Sequence, residues 1–256
     1  MLFHEEIDFS RNFCRNSSVR RFIDFRGEKL ILDLCMPRAG ERLLDVGCDT
    51  GDHLLLFRNQ GCSVTGIESS IAGMEAAKKK LGHRADIHTG PAEDLPFSDN
   101  EFDIVTFIAS LESIGDPQKA ISEAIRVSRN RVFMGIWNKY SLMNFYGRVN
   151  DLCSPKGCKP PRLLGGLELA RWIRTMLPGV HIQWGSVIYF PLGWYRFMAG
   201  FEQHIPMKRN PFGAFLGLSF PVQASFHTIQ DVIRRPLGVH SESRQALRGV
   251  ARELKK

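Results

Sequence analysis

Apolar and polar positions along the chain alternate between two rhythms. Residues 19–36, VRRFIDFRGEKLILDLCM, space their apolar residues as a helix does, and MPRAGE (36–41) breaks the pattern with Pro37 and Gly40. RLLDV (42–46) is a short buried strand, and DHLLLFRNQG (52–61) reads as a helix stopped by Gly61. CSVTGIE (62–68) is a second strand. SIAGMEAAKKKLG (70–82) is a helix with Ile71, Met74, Ala77 and Leu81 on one face.

ADIHTG (85–90) forms a weak third strand and EFDIVTFIAS (101–110) a strong fourth. DPQKAISEAIRVS (116–128) is a helix with Pro117 in its first turn and Ile121, Ala124, Ile125 and Ser128 along one side. RVFMGIW (131–137) is a fifth strand. Strands alternating with helices at this spacing predict a doubly wound α/β domain, a parallel sheet covered on both faces.

The second half is less regular. SPKGCKPPRLLGG (154–166) is a Pro/Gly-rich connection, LELARWIRTMLPG (167–179) a helix, and HIQWGSVIYF (181–190) and GAFLGLSF (213–220) strands. Between those strands, WYRFMAGF (194–201) sets Trp194, Phe197, Met198 and Phe201 along one helical face. Such a stripe is either core packing against the sheet or a lid over a lipophilic ligand.

Charge changes the picture only at the end of the chain. The formal net charge is +7. Residues 234–256 hold seven Lys/Arg against two Asp/Glu, so +5 sits there and +2 is spread over the other 233 residues. That tail, with Leu247, Val250 and Leu254 at helical spacing, reads as a solvated amphipathic helix. Six cysteines show no paired framework. Cys153 and Cys158 are a close pair, yet no second pair or nearby histidine completes four zinc ligands, so no metal is expected. With no apolar run near the ~20 residues of a membrane helix and no signal-peptide core, a cytoplasmic protein without a membrane span is expected.

The chemistry lies in LLDVGCDTG (43–51). A strand, a glycine turn and a helix bring backbone N–H groups to a helix N-terminus. A dinucleotide site needs G-x-G-x-x-G/A, and from Gly47 the second and third glycines would be Asp49 and Asp52. A Walker loop needs a lysine that is missing. What survives is Asp45 at the strand end followed by G-x-x-x-G. Glu68 ends the second strand, where a carboxylate can accept hydrogen bonds from both ribose hydroxyls. Asp49 suits left-handed backbone and either caps the following helix or meets a ligand.

LLDVGCDTG, the second-strand acid in TGIESS, GPAEDLPF (90–97) and FDIVTF, in that order, resemble the class I S-adenosylmethionine-dependent methyltransferases. The nearest flavour is the small-molecule group that includes the ubiquinone/menaquinone methyltransferases. The resemblance implies a Rossmann-like, mostly parallel seven-stranded sheet with helices on both faces and an antiparallel last strand. It places Gly47, Cys48, Asp49 and Gly51 along the methionine end of S-adenosylmethionine, with Asp45 near its ammonium. Glu68 would hold the ribose, Ser69 would lie beside the adenine, and Ala92 and Glu93 would bracket it. Ile108 and Ala109 would approach from the fourth strand. Two positions depart from the pattern: the middle glycine is Asp49, and an acid that would meet the adenine amino group is Pro91.

Candidates for the acceptor chemistry are Glu112 and Ser113 just past the fourth strand, together with Tyr140, Tyr146 and His204 in segments expected to cover the cleft; a readily ionised acceptor would need no base. Nucleic-acid methyltransferases resemble one another in Asn/Asp-Pro-Pro-aromatic or Pro-Cys motifs, and IASL stands in that place here. The expectation is therefore one domain acting on a small, apolar or aromatic acceptor, with S-adenosylhomocysteine as product. It comprises an N-terminal helical segment (1–36), a cofactor-binding core (37–137), a substrate-side half with an insertion (138–220) and a basic helical extension (221–256). An RNA or protein methyltransferase and a non-catalytic S-adenosylmethionine-binding regulator are the alternatives.

Overall fold

The computed structural model describes residues 17–141, 163–191 and 194–222. Its elements are α1 (Ser17–Cys35), β1 (Arg42–Val46), α2 (Asp52–Asn59), β2 (Ser63–Glu68), α3 (Ile71–Leu81), β3 (Asp86–Thr89) and β4 (Phe102–Ile108). They continue with α4 (Pro117–Val127), β5 (Ser128–Trp137), α5 (Gly166–Met176), β6 (Gln183–Val187), α6 (Tyr195–Glu202) and β7 (Phe215–Pro221). The seven strands form one sheet in the order β3-β2-β1-β4-β5-β7-β6. β7 runs antiparallel to both β5 and β6, and the other pairings are parallel, as the resemblance implied.

Alternate residues of single strands go to opposite faces, which is how a short apolar run becomes a central strand. Leu43, Ile104 and Phe133 pack with Leu30, Ile31, Phe57, Ala77 and Leu81, under α1, α2 and α3. Leu44, Val105, Val132 and Met134 pack with Ala120, Ile121, Ala124, Leu169 and Ile173, under α4 and α5. Each face is a dry core, and the backbone between them is held in register by the ladder.

Three local expectations shift. On α3 the buried positions are Gly73, Ala77 and Leu81, while Ile71, the first residue of the helix, is exposed. Ser128 starts β5 instead of closing α4, so helix and strand join without a loop.

The third concerns the aromatic stripe. α6 forms as predicted, yet Trp194, Phe197 and Phe201 are 53, 80 and 68 % exposed, which excludes core packing for these rings. The helix instead buries its polar side. Glu202 is fully buried and accepts the N–H groups of Ile188 (2.8 Å) and Tyr189 (3.2 Å) and the hydroxyl of Tyr195. Arg26 of α1 brings Nε to 3.7 Å from the Glu202 carboxylate and donates from Nη2 to the Glu202 carbonyl oxygen at 3.1 Å. Satisfying a buried carboxylate fixes which side of α6 turns inward, because an unmet buried charge costs more than an exposed ring.

Candidate functional site

The chain reverses strand order between β1 and β4, and at that switch point the C-terminal ends of parallel strands open a crevice. The loop after β1 fills its floor. Gly47 and Cys48 donate N–H bonds to the Ile67 carbonyl at 2.8 and 3.2 Å, tying the loop to the end of β2. A Cβ on Gly66 would lie 2.6 Å from Cys48 Sγ, so its absence lets the loop settle against β2. Gly47 has φ +75°, and a Cβ there would lie 2.5 Å from Ser110 Cβ beyond β4.

Asp49 also lies in the left-handed region, at φ 41°. It does not cap the following helix: Gly51 is the N-cap of α2, and no side chain caps it. The Asp49 carboxylate points toward α3, where a Cβ on Gly73 would lie 3.1 Å from Oδ1. Its own N–H donates to Glu68 Oε2 at 2.9 Å, and Ser70 N–H donates to Glu68 Oε1 at 2.9 Å. Ala109, at the tip of β4, is likewise left-handed at φ 52°. Two strained non-glycine residues thus meet on one rim, as strain does around binding sites. Asp49→Gly should remove the strain at position 49, stabilising the fold by up to about 1 kcal/mol. It should change S-adenosylmethionine affinity by less than about tenfold; a larger loss in calorimetry would assign the carboxylate to the ligand.

The cavity above this floor measures about 490 Å³, within the range of small-molecule sites. Gly47, Cys48, Asp49, Glu68, Ser69, Ala92, Glu93, Ile108 and Ala109 all line it, so most of the predicted cofactor positions converge. Pro91 lines it too, where the pattern has an acid. Gly51 does not: its place is structural, since a Cβ there would strike Leu81 Cδ1 at 2.6 Å. Asp45 does not line it either. It lies buried below the loop, with Oδ1 accepting from Thr106 Oγ1 at 2.6 Å, while Oδ2 has no hydrogen-bond partner among the described residues.

The charge of this wall is one-sided. Asp49, Asp52, Glu68 and Glu93 line the cavity, and no lysine or arginine does among the described residues. An acidic, concave wall suits a ligand with positive charge and repels polyphosphates.

Ser113, a candidate named beside Glu112, lines the cavity, and so do Thr50, His53, Ser110, Ile114 and Trp137, which sequence reasoning passed over. Trp137 could have been found, because it ends β5 and strand ends border the crevice. Three of the other candidates, Glu112, Tyr140 and His204, stand elsewhere. Glu112 is buried and accepts the Trp137 N–H at 2.6 Å, so it positions that strand end. Tyr140 is exposed, and His204 is exposed with Nδ1 at 2.9 Å from the Gly200 carbonyl oxygen. None of the three, and none of the α6 rings, borders the cavity. Tyr146, Cys153, Cys158 and the basic tail lie outside the described residues.

Two buried groups at the site titrate in opposite senses. Burial pushes Asp45 from 3.8 to about 7, reinforced by the Glu68 charge and opposed by the Thr106 hydrogen bond. Burial lowers His53 from 6.5 to about 4, against the pull of Asp52. Folded Asp45 keeps a proton that the unfolded chain releases, so its contribution is complete below pH 3.8 and is lost as pH rises to about 7. Folded His53 refuses a proton that the unfolded chain takes, so its contribution is complete above pH 6.5 and is lost as pH falls to about 4. Between those limits the two slopes oppose. Relative to wild type, Asp45→Asn should make stability rise more steeply with pH there, and His53→Leu should make it fall. Urea midpoints at several pH values measure both, and parallel curves for all three proteins would refute the assignment.

Residues 44–134 match the family described as a methyltransferase domain. Demethylmenaquinone methyltransferase of Renibacterium salmoninarum is 33 % identical over 106 residues, 41 % of this chain and 44 % of that protein. The 2-phytyl-1,4-naphtoquinone methyltransferase of Synechocystis is 37 % identical over 127 residues, 45 % of this chain and 49 % of that one. The chain therefore spans less than half the length of these relatives. Among solved structures, a Thermotoga maritima methyltransferase described as a possible histamine N-methyltransferase aligns with TM-score 0.62. It is 20 % identical, over 80 % of this chain and 92 % of that one. The [4+2]-cyclase SpnF aligns with TM-score 0.55 at 22 % identity, over 78 % and 81 %. At such identities the likeness is one of fold, and a cyclase among the neighbours means that fold alone selects no reaction.

Proposed function

We propose that the chain, whose residues 44–134 match a methyltransferase domain, transfers the methyl group of S-adenosylmethionine to a small, apolar or aromatic acceptor of the hydroquinone or naphthoquinone kind. The observation that carries the cofactor half of this reading is the acidic wall. Asp49, Glu68 and Glu93, with no basic side chain among the described lining residues, match a cationic ligand. The acceptor half is supported by the names of the relatives, demethylmenaquinone and 2-phytyl-1,4-naphtoquinone methyltransferases. When bound, S-adenosylmethionine supplies an electrophilic methyl group on a sulfonium and leaves as S-adenosylhomocysteine.

The residues divide the work of holding it. Backbone at Gly47 to Asp49 lines the amino-acid end, above the buried carboxyl group of Asp45. Glu68 Oε2 accepts the Asp49 N–H and keeps a lone pair for a ribose hydroxyl. Oε1 accepts the Ser70 N–H and, at 3.4 Å, the Ser69 hydroxyl, which a second ribose hydroxyl would have to displace. Ser69, Ala92 and Glu93 border the adenine, and Ile108 and Ala109 close on the ligand from β4. Glu93 already accepts the Asp116 N–H at 3.1 Å, so Pro91 leaves adenine recognition to backbone and to the second Glu93 oxygen.

On the acceptor side the chain's task is to align an electron-rich atom with the methyl group and keep water out, worth roughly 7 to 11 kcal/mol when geometry is good. Glu112, Tyr140 and His204 stand outside the cavity. None of these three can therefore take a proton from an acceptor held in the cavity. Trp137, gripped by Glu112 and in edge contact with Phe215 (ring centroids 5.7 Å apart), offers a fixed aromatic wall to a planar ring.

Calorimetry with S-adenosylmethionine and S-adenosylhomocysteine is the first test, and binding of neither would end this reading. With binding in hand, tritiated methyl groups should appear in the organic-soluble fraction of a quinone-containing extract. Label in RNA or protein instead would move the acceptor to a macromolecule, and truncation before residue 241 would then abolish it.

A further inference from the structure

The outer side of α6 has no part in the cavity. Trp194 at the start of the helix, Phe197 and Phe201 follow one another at three and four residues, so they share a helical face, and each is more than half exposed. None of them borders the cavity. The opposite side holds them there. Glu202 turns inward to Arg26 and to the N–H groups of Ile188 and Tyr189, and Tyr195 packs on Phe22 of α1. The helix cannot roll its rings into the core without stranding a buried charge. Phe212, 61 % exposed, adds a further ring ten residues after the helix ends. Exposed apolar residues scattered singly are ordinary, whereas a cluster of exposed rings marks an interaction surface.

The charge around these rings narrows the partner. Between residues 194 and 212 the one acid is Glu202, which is buried, while Lys208 and Arg209 are exposed and enter no ion pair among the described residues. These cations are held to the fold along the outer edge of β6. Ser186 N–H donates to the Met207 carbonyl at 2.8 Å, and Arg209 N–H donates to that of Trp184 at 3.0 Å. α1, which packs on α6, repeats the pattern: Arg21, Phe25 and Lys29, four residues apart, are exposed, and its acids Asp24, Glu28 and Asp33 are half-buried. Rings beside cations, with the acids withdrawn, fit a bilayer surface. Its headgroup level takes aromatic side chains, and its anionic lipids attract Lys and Arg. No helix among the described residues is long and apolar enough to cross a membrane, so the contact is with the surface. We infer that the outer side of α6, with Lys208 and Arg209, docks the protein on an anionic lipid bilayer. The docking stands apart from the acceptor reading, although a lipophilic acceptor partitions into that same phase.

Cosedimentation of the full chain with lipid vesicles tests this. Wild type should bind vesicles of equal parts phosphatidylcholine and phosphatidylglycerol, and bind phosphatidylcholine alone about tenfold more weakly. Phe197→Ser combined with Phe201→Ser should lower binding to the anionic vesicles about tenfold. Lys208→Gln combined with Arg209→Asn, which keeps a residue tolerant of left-handed backbone at 209, should lower it by a similar factor and leave binding to phosphatidylcholine unchanged. Urea midpoints equal to that of wild type exclude unfolding as the cause. A measurement that removes neither phenylalanine is quenching of tryptophan fluorescence by brominated lipid, which should shrink in Trp194→Phe. Vesicle binding that survives loss of both phenylalanines would overturn the inference and leave the contact to the basic residues 234–256. Absence of vesicle binding by wild type would overturn it as well. So would self-association in sedimentation velocity that needs the two rings while vesicle binding does not, which would assign the face to a second copy of the chain. None of these readouts involves methyl transfer, so their failure leaves the cofactor and acceptor readings standing.

Discussion

Gly47→Ala is expected to cost the fold about 2 to 5 kcal/mol, combining roughly 1–2 for left-handed backbone and 1–3 for overpacking. The added methyl meets Ser110 Cβ at 2.5 Å. Ser110 cannot step aside freely, because its Oγ donates to the Val46 carbonyl oxygen at 2.6 Å and its own carbonyl receives Ser113 Oγ at 2.8 Å. Relief must come from the loop, which would leave the Ile67 carbonyl that anchors it. The loop is the floor of the cavity, so cofactor affinity should fall at least tenfold, about 1.4 kcal/mol. Denaturant unfolding and calorimetry on one preparation measure the two losses. Unchanged affinity in a destabilised variant would show that this loop does not hold the ligand.

Glu202→Ala should be as damaging to stability and nearly silent in cofactor binding. It strands the Arg26 guanidinium, only 5 % exposed, and unpairs the N–H groups of Ile188 and Tyr189. Breaking one side of a buried ion pair costs about 3 to 5 kcal/mol. Removing both charges, as in Arg26→Met with Glu202→Leu, should cost less than Glu202→Ala alone, because no unpaired buried charge is left. Neither residue borders the cavity, so S-adenosylhomocysteine affinity should stay within about threefold of wild type. A double variant as unstable as the sum of its parts would mean that the two side chains act independently.

These two substitutions mark where the sequence was readable and where it was not. Gly47 announced itself: a glycine after a buried strand and before an apolar helix has few roles other than left-handed backbone at a crevice. The strands were readable for the same reason. RLLDV and FDIVTFIAS are apolar on both faces, which suits only a strand buried between two layers. Glu202 gave no sign of its place. It closes an aromatic helix whose apolar stripe suggested that the rings turn inward, yet Phe197 and Phe201 face out and the carboxylate faces in. The partner that decides this, Arg26, lies 176 residues away in sequence.

Local pattern therefore determined the order of strands and helices, the doubly wound class and the glycine loop at the crevice, which follow from periodicity or from backbone conformation within a few residues. The remaining lining positions, Ser69, Ala92, Glu93, Ile108 and Ala109, were implied by the family resemblance and not by the pattern itself. The tertiary structure decided the rest: Asp49 turns to α3 instead of capping α2, Glu112 grips the end of β5, and His53 enters the cavity. It also decided which side of α6 is buried. Those outcomes depend on which distant polar groups meet once water is excluded, and hydrogen bonds and charges formed across the fold are not written in the spacing of neighbours along the chain.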